Sequence, residues 1–106
     1  MSDPVVVTAI FRPVPGQFEA VYEALVPAIQ EVHREQGCEL YAIHKHQDGN
    51  TIVMIEKWES AALLDAHGEG EAVARLNASL EGKVTGPAEV TRLEPLPVGD
   101  SGQGVL

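Results

Sequence analysis

The sequence predicts an α+β fold in the element order βαββαβ, a four-stranded antiparallel sheet with its helices on one face. Three observations carry this. Apolar residues change spacing along the chain, from continuous β-branched runs to a three-and-four repeat and back again. Proline and glycine punctuate the changes. A chain of 106 residues holds one domain with one thin core, not two.

The elements follow in order. Residues 4–12, Pro-Val-Val-Val-Thr-Ala-Ile-Phe-Arg, are short and β-branched and read as a strand that ends at Pro13, Pro15 and Gly16. Over 17–36, Phe18, Val21, Tyr22, Leu25, Val26, Ile29 and Val32 form one apolar helical stripe. Pro27 inside it removes a backbone donor and predicts a kink, and Gly37 suits a left-handed helix end. Residues 38–46 and 51–59 are two strands, joined as a hairpin through Gln47-Asp48-Gly49-Asn50. Ser60 caps a helix beginning Ala61-Ala62-Leu63-Leu64, and Gly68 and Gly70 interrupt it. A second helical piece carries Val73, Leu76 and Leu80 and stops at Gly82. Residues 84–94 give a weaker strand, broken at Gly86-Pro87. This order is the split βαβ, ferredoxin-like arrangement over 1–94. Residues 95–106, rich in Pro and Gly, are expected to form a flexible C-terminal tail.

A sheet with one wet face alternates apolar with polar residues. Here Val5, Val6 and Val7, then Ala9, Ile10 and Phe11, then Ile52, Val53, Met54 and Ile55 are consecutive. Two helices cover only one face. An uncovered apolar face of this size marks an interface, and the expectation is a homodimer, sheet face to sheet face. The alternative is that the tail folds across that face.

Seven Lys and Arg against 16 Asp and Glu leave a formal charge of −9. That balance opposes phosphate backbones and anionic membrane surfaces, so neither nucleic acid nor membrane is an expected partner. No apolar run approaches the roughly 18 residues of a transmembrane helix, and Met-Ser-Asp-Pro does not open a signal peptide. The single cysteine, Cys38, rules out an internal disulfide and fits a reducing, cytoplasmic compartment.

No dinucleotide fingerprint, phosphate loop, paired-cysteine metal motif or nucleophile elbow is present. His44 and His46 share one face of a strand, and with Glu56 they raise a metal site. No third histidine follows at ligand spacing, and no metal is expected. His33, near a helix end, reads as structural. Alternation puts Glu56 and Trp58 on one strand face beside Ile52 and Met54. A carboxylate and an indole N–H in that row need partners. They either wall a pocket or fill the core, Glu56 then pairing with Arg92 or Lys45. His67 ends a short helix at a glycine break, pointing into a cleft as a base or donor, or facing water. Spacing alone favours water.

The Pro15-Gly16 lead into the first helix, Gly37-Cys38-Glu39-Leu40-Tyr41, the Glu56-Lys57-Trp58-Glu59-Ser60 junction and the following His67 resemble the antibiotic biosynthesis monooxygenase family over residues 4–94. The resemblance implies a dimeric α/β barrel with a pocket between sheet and helices in each protomer. It implies oxidation of a small quinol or phenol by molecular oxygen, with no cofactor. In that scheme His67 is the base or donor, Trp58 packs on the substrate ring and offers its N–H, and Glu56 orients a neighbour or takes a proton. Phe18, Tyr22, Met54 and His44 are the expected substrate-binding residues. The first strand has Thr8 and Ala9 where haem-degrading relatives carry asparagine, which argues against haem degradation. Met54 stands where polyketide-oxidising relatives are polar. The alternative function is a non-catalytic dimeric protein that binds a small apolar ligand in the same pocket.

Overall fold

The computed structural model describes residues 3–106. Its elements are β1 (Val5–Phe11), α1 (Phe18–Val32), β2 (Cys38–Lys45), β3 (Ile52–Trp58), α2 (Ala61–Gly68), α3 (Glu71–Leu80) and β4 (Glu89–Leu93). The sheet is antiparallel in the order β2-β3-β1-β4, which is the expected ferredoxin-like topology. The helical piece split at Gly68-Gly70 becomes two helices. Ser60 caps α2 by accepting a hydrogen bond from the Leu63 amide at 3.2 Å. In the hairpin, the Asp48 carboxylate accepts from the Asn50 and Thr51 amides and the Thr51 hydroxyl. Those bonds hold Asp48 down at a pKa of about 2.

Alternation sorts the strands cleanly. Val7, Ala9, Phe11, Tyr41, Ile52, Met54, Glu56 and Trp58 are buried on the helix face. They meet Val21, Leu25, Ala28 and Val32 of α1, Leu64 of α2, and Ala72, Leu76 and Leu80 of α3. The helix α1 runs through Pro27 as one element. Tyr22, placed in its apolar stripe by spacing, is 44% exposed at the border of that stripe.

The other sheet face carries Val6, Ile10, Leu40, Val53 and Ile55, all half-buried, with no helix over them. The tail touches this face where Lys57 Nζ donates to the main-chain oxygen of Leu106 at 2.6 Å, and Val105 beside it is half-buried. The tail's own Leu96, Val98 and Leu106 stay exposed. No helix among the described residues is long and apolar enough to cross a membrane.

The last strand is shorter than the sequence predicts. Only 89–93 pairs as a strand, and Val84 makes an isolated bridge to Pro13. Every residue of β4 is exposed, so this edge of the sheet lies open. Val90 faces the helix side opposite Ala9 and is still 62% exposed. That open edge admits a cavity under α3.

Between α1 and β2 the chain turns through residues 33–37, and Gly37 has φ +86°. A Cβ there would lie 2.5 Å from Leu63 Cδ1 of α2. The Glu59 amide donates to the Gly37 oxygen at 2.9 Å, so this turn is tied directly to the start of α2.

Candidate active site

Strand β3 supplies two of the candidate side chains, Glu56 and Trp58. Trp58 is fully buried, and its Nε1–H donates to Glu56 Oε1 at 2.9 Å. Each thus meets the other's need for a partner. Arg92 and Lys45, the alternative partners for Glu56, are engaged elsewhere. Arg92 bonds Asp65 at 2.7 Å, and the Lys45 ammonium lies 4.9 Å from the Phe18 ring centroid. Burial pushes the Glu56 carboxyl above its usual range, while the indole donor and His67 oppose that rise.

His67 comes from the last turn of α2 and is 8% exposed, so it does not face water as its spacing implied. Its ring lies against Trp58, with centroids 4.5 Å apart and planes tilted by 30°. The Tyr41 ring meets it edge-on at 5.4 Å. Its Nδ1 is 2.9 Å from Glu35 Oε1 in the turn after α1. Spacing missed this burial because it is made by residues distant in the chain, Trp58 of β3, Tyr41 of β2 and Glu35 after α1.

Tyr41, Glu56 and His67 close one end of a cavity of about 570 Å³. Ala9, Phe11, Val73, Leu76, Leu80, Val84, Ala88 and Val90 form its apolar walls, and Asn77 and Glu81 stand among them. The volume is in the range of small-molecule sites. Among the described residues its lining holds no Lys or Arg. Burial, with Glu56 and Glu35 nearby, drives the Tyr41 phenol well above its ordinary pKa, so it remains a protonated donor.

The structure does not bring all the expected residues together. Phe18, Tyr22 and His44 line a separate hollow of about 230 Å³ between α1 and β2, with Ile43 and Ile52. Met54 is fully buried and lines neither hollow. Trp58 is also absent from the cavity wall, so its ring supports His67 and its N–H is already taken. His44 pairs across the sheet with Val53, on the face opposite Glu56, so these two do not converge on one ion. His33 Nε2–H donates to the Tyr41 main-chain oxygen at 2.9 Å, a structural role. Glu35 was not singled out by sequence reasoning. The available signal was its place in the turn before Gly37, 32 residues from His67, and no local pattern links the two.

A model of the antibiotic biosynthesis monooxygenase family matches residues 4–79. The chain belongs to that family. It is 32% identical over 96 residues to the protein named Putative monooxygenase Rv0793, from Mycobacterium tuberculosis, across 91% of this chain and 95% of that protein. The solved structure of Rv0793 superposes with a TM-score of 0.84 at 31% identity, covering 92% of this chain and all (100%) of that one. PA3566 of Pseudomonas aeruginosa gives a TM-score of 0.82 at 28% identity, over 91% of this chain and 97% of that one. In this chain Glu56 and His67 line one cavity, and Trp58 packs behind His67 without reaching the wall.

Proposed function

We propose that this chain is a monooxygenase that oxidises a small neutral quinol or phenol with molecular oxygen and without a cofactor. One observation carries the reading. A buried histidine, held by an indole and a carboxylate, stands with Tyr41 and Glu56 at the closed end of an apolar cavity. His67 takes the substrate's hydroxyl proton. The resulting phenolate is electron-rich enough to pass an electron to oxygen itself, and the apolar walls keep water from the radical pair. Tyr41 donates to the developing oxyanion. One oxygen atom enters the ring, the other leaves as water, and all four electrons come from the substrate, so a hydroquinone gives a hydroxyquinone. A lining with acidic groups and no Lys or Arg favours an uncharged ring over a carboxylated one.

Oxygen uptake with a panel of hydroquinones, in metal-stripped protein with catalase present, tests this. Protein-dependent uptake with neutral hydroquinones is the expected result. Tight binding without uptake would instead leave a small-ligand-binding protein. The half-buried apolar face of Val6, Ile10, Leu40, Val53 and Ile55 supports a second copy as its cover. Sedimentation at micromolar concentration should then give a dimer, and a lone 11.4 kDa particle would remove that part of the reading.

A further inference from the structure

His67 has two ring nitrogens and two surroundings. It borders the interior cavity with Tyr41 and Glu56. It also borders a shallower hollow beside α2, where Glu35 and Gln36 lie. Glu35 belongs to that second hollow and not to the cavity. Its Oε1 is 2.9 Å from Nδ1 of His67. A carboxylate accepts, so the nitrogen facing it carries the proton, and in the neutral ring the lone pair is left on Nε2.

We propose that Glu35 is a positioning residue that fixes His67 as the Nδ1–H tautomer and turns its basic Nε2 to the cavity. The proposal rests on His67 being the base of the reaction above. The other groups around the ring do not do this job. Glu56 accepts the Trp58 N–H, and the faces of Trp58 and Tyr41 restrict rotation of the imidazole without choosing a tautomer. Glu35 is itself held, because its own amide donates to Val32 O at 2.9 Å and its carbonyl accepts from the Cys38 amide at 3.3 Å. In the proton step the substrate O–H breaks and an Nε2–H forms, with no electron moving. The imidazolium then stands against a carboxylate whose side chain is 26% exposed, within reach of bulk water.

The test compares wild type, Glu35→Gln and Glu35→Leu. Nitrogen-15 spectra of the histidine rings, at a pH where imidazole is neutral, should show the Nδ1–H tautomer for His67 in wild type. Glu35→Gln keeps it, since an amide oxygen still accepts, and Glu35→Leu shifts the ring toward Nε2–H. In oxygen uptake, Glu35→Leu should lose kcat by about 100-fold or more at similar KM, the scale set by a wrong histidine tautomer. Glu35→Gln should recover part of that loss. An Nε2–H tautomer in wild type overturns the proposal. So does a Glu35→Leu protein that loses only thermal stability, the outcome of a purely structural tie. If wild type consumes no oxygen, the monooxygenase reading fails, and the ring spectra still decide what Glu35 does.

Discussion

Two hollows open on the helix face of one sheet, and they differ in what lies at their floor. The one between α1 and β2 is shallow, about 230 Å³, and its polar members, Tyr22, His44 and Lys45, are exposed. The one under α3 holds about 570 Å³ and ends on Glu56, Tyr41 and His67, all buried. Exposed polar groups are hydrated and cost nothing to hold. Buried ones persist only when partnered, and here each partner also fixes an orientation. On the proposed reading the chemistry belongs to the α3 cavity, which Phe18, Tyr22 and His44 do not line.

The largest change is expected from His67→Ala, which should lower kcat/KM for oxygen uptake by about 10²–10⁴-fold, the worth of a general base. A variant as active as wild type would return the α3 cavity to the same standing as its neighbour. Next comes Trp58. Replacement by Ala should cost about 3–5 kcal/mol in denaturant unfolding. Trp58→Phe keeps most of the packing but strips the partner from Glu56, for about 1–3 kcal/mol.

Glu56→Gln sharpens the comparison through pH. Burial raises the proton affinity of Glu56 in the folded protein. Its contribution to stability is therefore complete below the ordinary value of 4.5 and is lost as pH rises through the higher folded value. Glutamine does not titrate, so the unfolding midpoint of Glu56→Gln relative to wild type should climb between weakly acidic and neutral pH. A constant difference would mean that the carboxylate is not strained by its burial. The smallest effect belongs to the other hollow. Tyr22→Ala should leave kcat/KM within about twofold, as for an exposed side chain away from the site.

Much of the fold was legible because local chemistry and tertiary packing agree. The Val-rich run of β1, the Asp48-Gly49 hairpin and the Ser60 cap each declare themselves within a few residues. Strand β4 was less legible. Residues 84–94, with Ala88, Val90 and Leu93, read as a weaker strand, and the structure pairs only 89–93 and leaves that edge exposed. In the site, Glu56 and Trp58 were readable by alternation, since side chains two apart on a strand share a face. Spacing on its own could not place His67 inside, nor choose Trp58 over Arg92 as the Glu56 partner. Phe18 and Tyr22 were readable as apolar residues on α1 and not as neighbours of one hollow over another. Such pairings depend on where α2 lands on the sheet, which is decided by contacts far apart in the chain.

Gly37 gives the site a point of vulnerability outside the cavity. It brings the bend that bears Glu35 flush with Leu63, one turn ahead of His67 on α2. Even a single methyl group in that seam would act as a wedge, prying the carboxylate's anchorage off the helix that carries the imidazole. On the proposed reading, activity is then lost while every side chain lining the cavity is unaltered, so harmful changes need not map to the cavity walls.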